Sequence, residues 1–278
     1  MIVVLGAGGQ VGTALRSVLP DARFVARDGF DLSDTATIER RLARLAPSAV
    51  VNCAAYTAVD RAESEQEAAH RINAEAVAAM ARYAAAAGIP LVTYSTDYVF
   101  AGDATVPYVE SDATDPVNAY GRTKLAGERA AMLAHPGTLV IRTSWVISAT
   151  HPNFVATMLG LAAKGAPWRV VSDQVGCPTV AADLAAATVA ALDAGVTGIL
   201  HRTNTGATTW FHLAQAAVEL AGHDPGLIEP CTTADYPTPA RRPVCSVLAS
   251  ERAGPLGLAP LPPWRQSLPA VVDGLSVR

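Results

Sequence analysis

The chain has 278 residues, half of them hydrophobic and 17% charged, with a formal net charge of -4. That composition excludes a disordered chain and leaves no basic footprint for nucleic acid. No apolar stretch approaches the roughly 20 residues of a membrane span, and the four cysteines (Cys53, Cys177, Cys231, Cys245) lack C-x-x-C spacing, which fits a reducing cytoplasm better than zinc or a disulfide framework.

The chain opens on the apolar run Met1-Ile-Val-Val-Leu5, with no basic segment or cleavage site ahead of it, so no signal peptide is expected. Gly6-Ala-Gly-Gly9-Gln-Val-Gly12 follows at once. A buried strand here delivers the backbone to a tight turn, and glycines allow it to approach a pyrophosphate. The next helix then presents free N–H groups to that anion. The spacing is G-x-x-G-x-x-G, looser than the G-x-G-x-x-G fingerprint.

Apolar runs then alternate with helical patterns, which predicts a parallel sheet flanked by helices. Expected strands are Ile2–Leu5, Arg23–Ala26, Ala49–Asn52, Pro90–Tyr94 and Thr138–Arg142. Expected helices are Gln10–Leu19, Asp34–Ala46, Glu65–Ala87 and Asn118–Ala134. Gly88 ahead of Pro90 stops the third helix, and Asp115-Pro116 marks the boundary before the fourth. Further on, Val155–Ala163, Ala181–Asp193 and Trp210–Ala221 read as helices and Gly198–His201 as a strand. Seven prolines between Pro237 and Pro263 break up the C-terminal stretch. The fold class expected is α/β, a Rossmann-type doubly wound parallel sheet with a smaller C-terminal substrate-binding lobe. Residues 1–145 form the dinucleotide-binding unit, 179–200 return to it, and 146–178 with 201–278 make the lobe.

Ligands of such sheets bind at the carboxyl ends of the strands. The candidates are therefore the glycine turn, Arg27-Asp28, Asp31, Cys53-Ala-Ala-Tyr56, Ser95-Thr96-Asp97 and Thr143-Ser-Trp145. Ala54 and Ala55 either let a cofactor lie against the backbone or pack a helix start. Thr96 is either a hydroxyl for a carbonyl oxygen or a strand-end cap. Asp97 can accept from sugar hydroxyls, and the Trp145 indole offers a flat apolar wall. Tyr120 and Lys124 are four apart, hence on one helix face. A nearby ammonium lowers the phenol's usual pKa of about 10, which suits proton exchange with an alcohol or ketone oxygen.

Several blocks carry a more specific resemblance. Asn52-Cys-Ala-Ala-Tyr-Thr-Ala-Val-Asp60-Arg-Ala-Glu63, Ser95-Thr-Asp-Tyr-Val-Phe100, Arg142-Thr-Ser-Trp145, Asp173-Gln-Val-Gly-Cys-Pro-Thr179 and Tyr236-Pro-Thr-Pro-Ala-Arg-Arg-Pro243 come in order along the chain. Together they resemble the dTDP-4-dehydrorhamnose reductases, extended short-chain dehydrogenases/reductases, over nearly the whole length. The resemblance implies reduction of a dTDP-4-keto sugar at C4, yielding dTDP-L-rhamnose, with hydride from NADPH or NADH. It implies Tyr120 as proton donor, Thr96 as the group polarising the ketone, and Lys124 as the group lowering the Tyr120 pKa and holding the nicotinamide ribose. Gly6, Gly9, Gln10, Val11, Arg27, Asp31, Leu32, Ala54, Ala55 and Tyr56 join Tyr120 and Lys124 in the cofactor site, with Asp31 toward the adenine. Val59, Asp97 and Trp145 match sugar-pocket positions. Arg241 or Arg242, the latter preferred, suits the nucleotide pyrophosphate, unless the two are simply solvated.

At the second strand end, Arg27 favours a 2′-phosphate and Asp28 a free ribose; NADPH is expected, NADH being the alternative. Some members of this family form dimers bridged by magnesium through glutamates. Here Ala14 and Ala182 stand at those places, so no metal and no metal-dependent dimer is expected, only a monomer or weak homodimer. Ile147 stands where the family often has tyrosine. Two other readings remain: a sister 4-ketoreductase for another dTDP-hexulose, such as one of the dihydrostreptose or antibiotic-sugar routes, or a regulatory subunit that keeps the fold without catalysis.

Overall fold

The computed structural model describes residues 1–276. Strands β1 (Ile2–Leu5), β2 (Arg23–Val25), β3 (Ala49–Asn52), β4 (Leu91–Thr96), β5 (Leu139–Thr143) and β6 (Gly198–His201) form one sheet in the order β2-β1-β3-β4-β5-β6. Every pairing in it is parallel. Strands covered on both faces need continuous apolar runs, and alternate residues serve opposite layers. Val3, Leu5, Val50 and Leu91 face one core. Val4, Val51, Val92, Leu139 and Ile141 face the other.

The first core is closed by helices α2 (Ile38–Leu45) and α4 (Ala76–Ala87), through Ile38, Leu42, Val77 and Met80. The second is closed by α1 (Gln10–Leu15) and α7 (Ala181–Asp193), through Leu15, Leu184 and Ala185. The chain order reverses between β1 and β3, so the switch point lies over the glycine turn.

Some element bounds differ from the sequence expectation. The first α-helix stops at Leu15, because Arg16, Ser17 and Val18 donate to carbonyls three residues back and wind the last turn tighter before Pro20. Helix 65–87 is interrupted. Helix α3 (Gln66–His70) passes into a π-helical turn at Arg71–Glu75 and only then into α4, which ends on Gly88 at φ 66°. Inside the π turn, buried Asn73 accepts from Tyr56 N–H (2.9 Å) and donates to Tyr56 O (3.1 Å) and Thr123 Oγ1 (3.0 Å). A π turn exposes carbonyls and amides that a regular helix consumes; here it lets one side chain pin the strand-end loop to helix α5 (Ala119–Ala134).

Beyond β5 the chain forms short two-stranded ribbons: Val146–Ile147 with Thr179–Val180, and Trp168–Val171 with Ile228–Cys231. Two more pair Val175–Gly176 with Thr208–Thr209 and Asn204–Thr205 with Leu261–Pro263. Helices α6 (Phe154–Ala162), α8 (Trp210–Leu220) and α9 (Trp264–Ser276) pack there around Val155, Leu213, Ala217, Leu268 and Val272. No helix is expected at 264–276 from the sequence, given the prolines. It forms, with Pro269 inside it, because Trp264, Leu268, Val271 and Val272 make one buried stripe at helical spacing.

Candidate active site

Helix α5 begins against the end of β4. Asn118 caps it, its Oδ1 accepting from Gly121 N–H at 2.8 Å, and Glu63 accepts from Ala119 N–H at 2.8 Å. A Cβ on Gly121 would lie 2.1 Å from the carbonyl oxygen of Tyr98, so glycine there allows the helix start to touch the 3-10 turn Asp97–Val99. This contact carries Tyr120 to Thr96 and Asp97. The Thr96 hydroxyl donates to Asp97 Oδ1 (2.9 Å) and accepts from Tyr98 N–H (3.2 Å). Tyr98 meets Tyr120 edge-on, ring centres 6.0 Å apart.

The electrostatics differ from the sequence expectation. Burial, then the Asp97 charge, pushes the Tyr120 phenol up to about 12, against the opposing hydrogen bond of Thr96. Lys124 is spent elsewhere: its Nζ donates to Tyr94 O at 2.7 Å. Burial pulls the ammonium down to about 8, with the Glu128 charge holding it up. Glu128 is itself held by a bidentate buried pair with Arg142, at 2.9 and 2.7 Å. Asp97 is pushed up to about 6 by burial, opposed by the Ser246 and Thr96 hydroxyls. Its Oδ2 completes no hydrogen bond among the described residues. A lysine-lowered phenolate is therefore replaced by a phenol held in its protonated form.

A cavity of about 940 Å³ crosses the carboxyl ends of β2, β1, β3, β4 and β5. One end is walled by Arg27, Asp28, Asp31 and Leu32, the middle by Gly6, Gly9, Gln10 and Val11, and the far end by Ala54, Ala55, Tyr120 and Lys124. Gly6 turns at φ 78°, and a Cβ on it would lie 2.6 Å from Ala54 N, so only glycine fits. The cavity and its donors fit a nicotinamide dinucleotide. Backbone amides of the first helical turn are free to hold an anion, and Ser95 and Thr143 line the wall at the ends of β4 and β5.

Other residues named from sequence lie elsewhere. Tyr56 does not line the cavity; its hydroxyl donates to Glu65 Oε2 at 2.7 Å and its ring packs with Ala62, Ala69 and Ala119. Thr96 and Asp97 sit behind Tyr120, outside the lining. Val59 is half-buried in the turn before Arg61–Glu63, also off the cavity. Trp145, at φ 45°, is no open wall: Trp210 stacks on it with centres 3.6 Å apart. Arg242 is paired with Asp60 at 2.9 Å rather than free for a phosphate, whereas Arg241 is exposed. Ile147 is core, buried against Leu213 and Leu268, so its difference from tyrosine alters packing rather than a pocket wall.

Sequence reasoning missed Thr57, Ile72, Val146, His151 and Pro152 in the lining. The last three belong to a segment that folds back over the glycine turn. Gln10 Nε2 donates to Val146 O (3.1 Å), Ser148 Oγ donates to Gln10 Oε1 (2.8 Å), and His151 Nε2 lies 3.0 Å from Gly8 O. No local pattern marks such contacts, which span more than 130 residues.

A fully parallel, doubly wound sheet with its switch point over a glycine turn, and a half-buried tyrosine with a buried lysine at the far end of the same cleft, is the architecture of a dinucleotide-dependent short-chain reductase. Comparison with known proteins narrows the class. The family model described as "RmlD substrate binding domain" matches residues 1–277. A dTDP-4-dehydrorhamnose reductase of Mycolicibacterium smegmatis is 43% identical over 274 residues, covering 96% of this chain and 83% of the relative. A probable dTDP-4,6-dihydroxy-2-methyloxan-3-one 4-ketoreductase of Streptomyces antibioticus is 44% identical over 277 residues, covering 96% and 92%. The crystal structure of a dTDP-4-dehydrorhamnose reductase from Bacillus anthracis in complex with NADP superposes with a TM-score of 0.92 at 32% identity, covering 96% of each chain. The chain belongs to the dTDP-4-dehydrorhamnose reductase family.

Proposed function

We propose that the protein reduces the C4 ketone of dTDP-4-dehydro-L-rhamnose to dTDP-L-rhamnose, using NADPH. The observation that carries this reading is the placement of Tyr120 with Lys124 at the end of a dinucleotide-sized cavity, in a chain that matches the family end to end. When bound, the cofactor supplies hydride to C4.

The protein's own groups supply the rest. As hydride arrives, the C4 oxygen becomes an alkoxide, far more basic than a phenolate even in this setting, so the Tyr120 proton moves to it downhill. Thr96 polarises that oxygen by turning toward it the hydroxyl proton it gives to Asp97 Oδ1 in the free protein, and Asp97 stands behind it on the sugar side. Lys124, anchored on Tyr94 O, presents its remaining N–H groups to the nicotinamide ribose. Amides of Gln10 and Val11 hold the pyrophosphate. Arg27 and Arg41 both bring positive charge to Asp31, which favours the 2′-phosphate of NADPH over NADH. Residues 1–145 with 179–200 carry the cofactor, with Val146, His151 and Pro152 closing its cleft, and the remainder of 146–178 with 201–278 carries the sugar nucleotide. The protein acts in the cytoplasm as a monomer or weak homodimer; among the described residues no helix is long and apolar enough to cross a membrane.

A second reading is favoured by one observation: the 4-ketoreductase relative is as similar to this chain as the rhamnose-forming one. Supplying dTDP-4-dehydro-L-rhamnose, and separately dTDP-4,6-dihydroxy-2-methyloxan-3-one, with NADPH or NADH distinguishes them. Oxidation of NADPH with dTDP-L-rhamnose identified by NMR is the expected result. Turnover of the second sugar alone would move the assignment to the sister reductase.

A further inference from the structure

Arg142 on β5 is the register partner of Ser95 on β4 and of His201 on β6, so the three side chains form a row across one face of the sheet. Glu128 reaches this row from α5 and accepts from Arg142 Nε and Nη2 at 2.9 and 2.7 Å. One turn earlier on the same helix face stands Lys124. Lys124, Glu128 and Arg142 are each more than nine-tenths buried, so two cations share one carboxylate away from water. Arg142 cannot release its proton. His201 adds no charge: its Nδ1 donates to Ala249 O at 2.8 Å, which leaves Nε2 as an acceptor 3.4 Å from Arg142 Nη1. The titratable groups that share the cavity wall with Lys124, namely Cys53, Tyr94 and Tyr120, are held protonated by burial. Asp97 acts on Tyr120, and the charge that supports the Lys124 ammonium is that of Glu128.

We propose that Glu128, clamped by Arg142, is a positioning residue for the reduction: its charge keeps Lys124 an ammonium able to hold the cofactor, an inference that rests on the reductase reading above. An ammonium has three N–H donors, and one of them is already given to Tyr94 O. Losing the proton therefore takes away both a donor and the charge that strengthens the others. Arg142 grips both carboxylate oxygens, so Glu128 stays ionised and fixed beneath Lys124. Without that carboxylate the guanidinium remains charged, and one buried cation disfavours a second beside it. Glu128 and Arg142 both lie outside the cavity lining. They serve the reaction without touching cofactor or sugar.

The chain has two lysines, and the other, Lys164, is exposed. NMR of protein labelled at lysine Cε therefore gives one reference signal and one from Lys124. In the wild type the Lys124 signal is expected to titrate near pH 8. Glu128→Gln lowers that midpoint by about one unit or more, while Glu128→Asp, which keeps the carboxylate, leaves it near the wild-type value. Glu128→Gln also weakens NADP⁺ binding, followed by calorimetry, by about ten-fold at pH 7.5, the size of a charge-assisted hydrogen bond lost. At pH 6 the loss is much smaller, and in a Lys124→Arg background it no longer varies with pH. Should Glu128→Gln fail to fold, the double variant Glu128→Gln/Arg142→Gln leaves no unpaired buried charge, and its Lys124 midpoint also falls below the wild-type value. An unmoved Lys124 midpoint in either folded variant overturns the inference. A loss of NADP⁺ affinity equal at every pH, the mark of a merely structural role, overturns it as well and leaves the reductase reading standing. A wild type that binds no dinucleotide defeats that reading, whatever Lys124 does.

Discussion

At Tyr120 the protein has set the acid beside the Asp97 carboxylate, while the Lys124 ammonium is engaged by Tyr94 O. Burial and Asp97 keep the phenol protonated, which is the state a ketone reductase needs before hydride arrives. Tyr120→Phe removes the proton and little else, because the ring remains. We expect ketone reduction in single-turnover assays to fall by about 10²–10⁴-fold, with NADPH affinity held within about three-fold. A variant that still reduces the sugar at the wild-type rate would remove Tyr120 from the chemistry. Asp97 gives a pH test. Its folded value of about 6 lies above its ordinary 3.8, so across that window the folded protein keeps a proton that the unfolded chain releases. Stability attributable to this group is present below 3.8 and is lost as pH rises through about 6. Asp97→Asn should therefore stabilise the fold by about 1–3 kcal/mol at pH 7.5, and by much less near pH 4, while activity drops. Urea midpoints of the two proteins at both pH values decide it; a difference independent of pH would mean that the charge is not the cause.

Helix α5 is placed by what its glycines lack. A Cβ on Gly127 would sit 2.0 Å from the backbone oxygen of Asn73, in the π turn that also holds Tyr56 and Thr123. Backbone cannot swing aside as a side chain can, so Gly127→Ala is expected to destabilise by about 1–3 kcal/mol and to slow reduction by displacing Tyr120. Gly160, in α6, meets nothing within 4 Å; there the same change should stabilise by about 0.5–1 kcal/mol through helix propensity. Chemical denaturation of both variants checks the pair, and equal effects would show that the α5 contact is not close. The comparison also marks what a sequence discloses. Val3–Leu5, Val50–Val51 and Leu139–Ile141 were readable because a strand buried on both faces must be uniformly apolar. The tyrosine–lysine face and the glycine turn were readable because their chemistry dictates local spacing. The π turn was hidden, since Arg71–Glu75 has the composition of ordinary helix. Helix α9 was masked by Pro269 although its stripe of Trp264, Leu268, Val271 and Val272 was there to be counted. The Asp60–Arg242 pair and the Trp145–Trp210 stack join residues far apart in the chain, where no local pattern reaches.

Across the molecule, the cofactor cleft is closed by chain from beyond β5. Val146, His151 and Pro152 wall it, and the contacts of Gln10 with Val146 and Ser148, together with His151 on Gly8 O, tie that segment to the glycine turn. The same segment runs directly into α6, which packs with α8 and α9. A ligand seated on the sheet therefore stabilises both parts of the chain. All four tryptophans, Trp145, Trp168, Trp210 and Trp264, lie at or after that crossing, so their fluorescence reports the distal part alone. NADPH at a hundred times its Kd should raise the stability read by tryptophan fluorescence by about 2.7 kcal/mol, the value set by mass action for one cooperative unit. Far-UV circular dichroism, dominated by the sheet and its helices, should move equally. His151→Ala removes one tie and should reduce the stabilisation at a fixed NADPH concentration in both signals. If the tryptophan transition came first and ignored NADPH while circular dichroism responded, the two parts would unfold independently and the 146–152 crossing would not couple them.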